Sequence, residues 1–134
     1  MKAARLDEWI TKRGARPNLS PDEWQQFVEL VIARLGTEVC YRFCLIPYFH
    51  LPAKGFFAGF PGRIGDDLKH LNLLDLVVMD EEASGILTAF LDQHRCPWEL
   101  TTQYDPDTDS DEPIGIRIFG YSFPADGLNP SLEA

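Results

Sequence analysis

The sequence has little cysteine, no long apolar run and almost no positive charge across its middle. Three cysteines, Cys40, Cys44 and Cys96, stand in 134 residues. A sparse, odd set excludes the secreted disulfide scaffold, which needs a dense and even one. The apolar stretch Leu73–Met79 is broken by Asp75, and it falls far short of the ~20 residues that span a bilayer. The opening segment MKAARLDEWITKR has no apolar core of signal-peptide type. These absences predict a reduced, cytoplasmic chain with no membrane partner. The usual catalytic signatures are missing as well. There is no Gly-x-Ser-x-Gly elbow, and none of the glycines Gly55, Gly59, Gly62 and Gly65 enters a Gly-Lys-Ser/Thr phosphate loop.

Basic residues are scarcest between Asp80 and Glu112, where ten acids face one base, Arg95. That stretch accounts for the whole net charge of −9. The first twenty residues lean the other way, with Lys2, Arg5, Lys12, Arg13 and Arg16 against Asp7 and Glu8. Nucleic acid is excluded as a partner of the acidic half, because phosphate binding needs Lys and Arg to displace counterions. A basic protein is the partner that such a field predicts, since complementary charge speeds encounter and restricts register.

What is present is an ordinary globular composition, 45% hydrophobic and 25% charged, of single-domain size. Leu6, Trp9 and Ile10 predict a short amphipathic helix over 3–13, ended by Gly14 and Pro17. Ser20-Pro21-Asp22-Glu23 is a capping box with proline in the first turn. It opens a helix bearing Trp24, Phe27, Val28, Val31 and Leu35, and Gly36 suits a left-handed stop. Alternation over Glu38–Ile46 predicts a strand. Residues 47–62 read as a loop followed by a short strand near Gly55–Phe60, and Asp66–Asn72 as one helical turn. Leu73–Met79 reads as a buried strand. Asp80 caps a helix over 81–94 with Ile86, Leu87, Phe90 and Leu91 inward. Trp98–Tyr104 alternates as a strand, Asp105–Pro113 is a polar loop, and Ile114, Ile116 and Ile118 share one face of a last strand. The expected fold is α+β, with the order α-α-β-β-β-α-β-β and a mostly antiparallel sheet of four to five strands covered by helices. It forms one domain over 1–123, with an irregular tail over 124–134.

Two features are candidates for function. Tyr48, Phe49, His50, Phe56, Phe57 and Phe60 crowd one loop region. Rings of this kind either anchor an interface at low entropy cost or fill the core. With Trp98, the residues Tyr48, Phe49, Phe56, Phe57 and Phe60 form the predicted anchor set. The second feature is Asp105, Asp107, Asp109, Asp111 and Glu112, the predicted steering set. Its alternate carboxylates resemble the start of a calcium loop. That pattern then fails at Ser110, where glycine is required, and at Ile116, where a bidentate Glu is required. A solvated hairpin loop accounts for it without a metal, and no metal or cofactor is predicted. Cys40 and Cys44 on one strand lie roughly 13 Å apart, too far to share a zinc ion. Cys96 with His50 or His70 is the remaining nucleophile–base pairing, with no local context to support it. His94 at a helix end suits the dipole.

The succession Leu74–Met79, Glu82–His94, CPWEL (Cys96–Leu100) and IRIFGY (Ile116–Tyr121) resembles a family of small bacterial α+β proteins of uncharacterised role, over about 50 residues. That resemblance implies a fold and no catalytic residue. In size, acidity and plan the chain is also similar to immunity proteins, which neutralise a toxin encoded beside them. The reading is a small acidic protein-binding module, of immunity or inhibitor type, for a basic toxin domain. The alternatives are a homo-oligomeric structural domain, with a homodimer the simplest case, and a small Cys/His enzyme.

Overall fold

The computed structural model describes residues 3–51 and 55–124. Helix α1 (Ala3–Arg13) is followed by a two-residue strand β1 (Arg16–Pro17) and helix α2 (Pro21–Leu35). Strand β2 (Tyr41–Leu45), a 3-10 turn (Asp67–His70), strand β3 (Leu71–Val77) and helix α3 (Glu81–Gln93) come next. The chain then runs through β4 (Trp98–Asp105), β5 (Ser110–Phe119) and β6 (Tyr121–Ser122). The fold is α+β. Its main sheet has the order β2-β3-β5-β4 with every pair antiparallel, and β1 and β6 form a separate ribbon. The tail expected over 124–134 lies, beyond Pro124, outside the described residues.

Local chemistry starts each helix as the residues demand. Ser20 Oγ accepts from the Glu23 N–H at 3.1 Å, and Glu23 Oε1 accepts from the Ser20 N–H at 2.8 Å. The Ser20 backbone bond is the largest influence holding the Glu23 carboxyl below its ordinary pKa. Asp80 Oδ1 caps α3 by accepting from the Glu82 and Ala83 N–H groups. Gly36 ends α2 with φ 80° but ψ 175°. The chain therefore leaves in an extended direction and not through the left-handed helical turn expected there.

Beyond shifts of one to three residues at the ends of β2 and β3, three features differ from the sequence reading. First, the strand expected near Gly55–Phe60 is a single bridge, Phe57 to Tyr41. Gly59 at φ 81° and the Phe60-Pro61 turn break the extended path there. Second, the loop expected over Asp105–Pro113 shrinks to residues 106–109, and Asp111, Glu112 and Pro113 lie in β5. Asp105 Oδ1 accepts from the Asp107 N–H at 2.9 Å and Asp109 takes φ 51°, which together close a tight turn. Repulsion among the acids does not prevent this, because their side chains point to water. Third, β1 and β6 had no periodic signal to announce them.

The core lies between the sheet and helices α2 and α3. Trp24, Phe27 and Val31 of α2 meet Leu74, Leu76, Ile116 and Ile118 of the sheet and Leu87 and Leu91 of α3, all buried. Ile86 and Phe90 are only half-buried. A second cluster, Leu6, Ala15, Ile46 and Tyr121 with Trp9, Ile10 and Phe123 against it, holds α1 to the β1–β6 end. The central pair β3–β5 approaches closely at Gly115, where a Cβ would sit 1.9 Å from the Leu76 carbonyl oxygen. No side chain fits there without parting the strands. Gly85, in α3, has nothing within 4 Å of the same position. Gly115→Ala is therefore expected to lower unfolding stability by about 3 kcal/mol. Gly85→Ala should raise it by roughly 0.5–1 kcal/mol through helix propensity. Urea unfolding midpoints of the two variants check both signs.

Candidate functional site

The aromatic set divides when its surroundings are examined. Phe60 is 1% exposed and packs edge-on against Tyr41 at 5.2 Å. Phe57 is half-buried between Tyr41 and Phe43, with the Arg63 guanidinium over its ring. Phe60 is a core ring and is not available as an anchor, while Phe57 packs against the core with part of its ring at the surface. Phe49 is half-buried against Trp9 and Phe123 and serves to seat α1. Phe56 lies at the surface under the Arg42 guanidinium, 4.8 Å from its ring centre. Tyr48 is exposed, but its carbonyl accepts from Asn72 Nδ2 and from the Cys44 thiol. Trp98 is half-buried, and its indole N–H donates to Asp92 at 2.8 Å.

The sheet face turned away from α2 and α3 carries a row of charges that local pattern reading did not assemble. Arg42, Asp75, Arg117 and Glu99 are cross-strand neighbours on β2, β3, β5 and β4. Asp75 is 2% exposed. Its Oδ2 accepts from Arg42 Nε at 3.0 Å, and its two oxygens accept from Arg117 Nε at 2.8 Å and Nη2 at 3.1 Å. Arg117 Nη1 also reaches Glu99 at 3.5 Å. A carboxylate with this much donation is satisfied, and the hydrogen bonds to Asp75 raise the Arg117 pKa further. Such a row sets strand register; it presents no poised acid or base.

The predicted steering acids gather at the hairpin end of β4 and β5, beyond that row along the two strands. The hairpin turn holds Asp107 and Asp109, and Asp111 and Glu112 follow in β5, all exposed. Thr108, Ser110 and Glu112 are joined by side-chain hydrogen bonds, and the Tyr104 hydroxyl donates to Asp109, which raises the Tyr104 pKa. A groove of about 390 Å³ runs between the start of α3 and strands β4 and β5, lined by Met79, Asp80, Glu81, Thr88, Trp98 and Leu100 among others. Met79 is 74% exposed, Leu100 54% and Tyr104 55%. Of the ten acids between Asp80 and Glu112, Glu99 alone has a basic partner among the described residues. Met79 and Leu100 were not among the predicted anchors. Leu100 alternates with Trp98 like an inward residue, and only the position of β4 at the sheet's edge exposes it.

The chemistry of the thiols and imidazoles is structural. Burial pushes the Cys96 thiol up to about 12 and the Cys44 thiol up to about 11. Cys96 Sγ lies against the Pro97 and Phe119 carbonyl oxygens, so it is no activated thiolate. His94 pairs with Glu23 and ties the end of α3 to the start of α2. His70 is buried, with Nε2 3.6 Å from Asp7 Oδ1. Among the described residues no three His, Cys, Asp or Glu side chains are placed to hold a metal ion, and no helix is long and apolar enough to cross a membrane.

Two measurements check this geometry. Asp75→Asn is expected to cost about 3 kcal/mol in urea unfolding, because two partly buried guanidinium groups lose their counter-charge. Iodoacetamide at neutral pH should label Cys40, the exposed thiol, while Cys44 and Cys96 react only after unfolding. Intact-mass spectra read the difference. Compared with protein-family models, curated proteins and solved structures, the chain finds no match.

Proposed function

We propose that the chain is a binding module for a basic polypeptide, gripped through the acid-rimmed groove between α3 and β4. The observation that carries this is the coincidence of exposed apolar side chains, Met79 and Leu100 in the groove and Tyr104 further along β4, with a field of almost unpaired acids. Each half supplies something the other lacks. At physiological salt the Debye length is about 8 Å, so unpaired acids steer a cation only near the surface and hold it weakly. Apolar anchors that shed water give residence time but little orientation. A basic partner uses both. An immunity or inhibitor role against a basic toxin domain fits this chemistry, since such a partner must be found quickly and released slowly.

Self-association through the same surface is disfavoured, because two copies would oppose like charges. The small-enzyme alternative has no support from Cys96, which is buried and protonated.

The test is capture of partners from host lysate at about 50 and 500 mM salt, followed by kinetics on the partner identified. A stoichiometric basic protein is expected, with association slowing about tenfold or more across that range. Met79→Ala with Leu100→Ala should speed dissociation by about tenfold. Neutralising Asp107, Asp109, Asp111 and Glu112 together to amides should slow association instead. A partner of acidic or neutral character, or binding that both variant sets leave unchanged, would overturn the reading.

A further inference from the structure

We infer that β4 is an open edge to which the partner adds a strand, so that the recognised element is an extended segment alternating basic and apolar residues. This rests on the partner-binding reading above, but a different observation carries it, the unequal state of the two sheet edges. The sheet ends in β2 on one side and β4 on the other. The β2 edge is capped at its first residue. The Tyr41 N–H donates to the Phe57 carbonyl at 2.9 Å, and the Phe57 N–H returns a bond to the Tyr41 carbonyl at 2.7 Å. On β4, every described backbone pairing is to β5, apart from the Phe119 N–H bond to Pro97 just before the strand begins.

The free edge is long and regular. Eight residues of β4 span about 26 Å, and in an antiparallel strand about half of their N–H and C=O groups face away from the paired neighbour. The irregularity in the hairpin falls on the other strand. Thr101 pairs with Gly115 and Thr102 with Pro113, so the extra residue is Ile114 of β5 and β4 keeps its pleat. Natural edges are commonly blunted with lysine, proline or a bulge; Trp98–Asp105 contains no lysine and no proline.

The flanking side chains specify the occupant. Trp98 and Leu100 line the groove, and alternation along an unbroken β4 turns Glu99, Gln103 and Asp105 to the other face. An added strand would place apolar side chains beside Leu100 and Met79 on one face. On the other face it would place cationic side chains beside Asp105 and Glu112, the cross-strand partner of Gln103, with Glu99 already reached by Arg117. A second copy of this strand would set acid against acid in the register that pairs Glu99 with Asp105, which disfavours an edge-to-edge homodimer. Strand addition of this kind takes its affinity from backbone bonds and its specificity from alternate side chains.

The experiment uses the full chain and a blocked eight-residue peptide of alternating lysine and valine, followed by NMR amide exchange. The β4 amides not bonded to β5 exchange quickly in the free protein and are expected to slow by about tenfold or more on saturation. An alternating glutamate–valine peptide should leave them unchanged, as should a lysine–valine peptide N-methylated at alternate residues. Saturable, salt-sensitive binding with no added protection on β4 overturns strand addition while leaving the acidic binding surface intact. Failure of the lysine–valine peptide to bind at about 1 mM, a binding energy near −4 kcal/mol, overturns it too. So does finding the same β4 amides already protected in the free chain. The partner-binding reading fails separately, if lysate capture yields no basic protein.

Discussion

Everything in the sheet depends on where Asp75 sits. It is a carboxylate in the middle of the most enclosed strand, with Leu74 and Leu76 on either side pointing into the core. Its position is tolerable only because Arg42 and Arg117 approach from both neighbouring strands and donate to it. A slip of one residue in β3 would reverse its faces, burying the carboxylate among leucines and exposing the leucines to water. The ion row thus fixes β2 and β5 against β3 through the cost of every alternative. A buried ion pair is weak evidence for added stability, and specification of register is its best-supported use. Gly115 acts on the same seam by a different means, since it removes the side chain that would hold β5 away from the Leu76 carbonyl.

That seam also explains what could be read from the residues and what could not. Helices α2 and α3 were legible because their signals are local. Ser20 with Glu23, Asp80 with its two amides, and apolar residues at helical spacing all lie within a few positions of one another. The α+β class followed from successive runs of period two and period 3.6. The row Arg42–Asp75–Arg117–Glu99 was not legible, although each member stood out as a polar residue in an apolar alternation. Joining them requires knowing that β5 inserts between β3 and β4, and strand order is a property of the folded sheet. The same gap hid Leu100, whose exposure comes from lying on an edge. Residues 55–60 misled in the other direction. Phe56, Phe57 and Phe60 are the ring-rich residues of a strand, but Gly59 and Pro61 reduce the pairing to one bridge. The anchor set therefore lost Phe60 to the core and half of Phe57, while Asp107, Asp109, Asp111 and Glu112 are exposed and Asp105 is half-buried.

The charge division along the chain becomes a division in space. Most of the acids of 80–112 occupy the start of α3 and the β4–β5 hairpin, and the start of α3 meets that hairpin at Pro113 and Gly115 although α3 separates them in sequence. The arginines that the sheet needs, Arg42 and Arg117, are committed to Asp75 and Glu99 and do little to neutralise the hairpin. A net charge of −9 is thereby concentrated and not spread. Concentration of this sort adds nothing to stability, which like-charge repulsion can only lower.

Cys40 stands just before β2, at the sheet edge that Phe57 already covers, and it is the exposed one of the three thiols. The β4 edge lies three strand spacings away, about 14 Å across the sheet. The chain consequently carries a natural attachment point set well apart from its open edge. A fluorophore, a spin label or a sensor surface can be coupled there without engineering a cysteine. Coupled by that thiol, the molecule would present its acidic side outwards in one orientation.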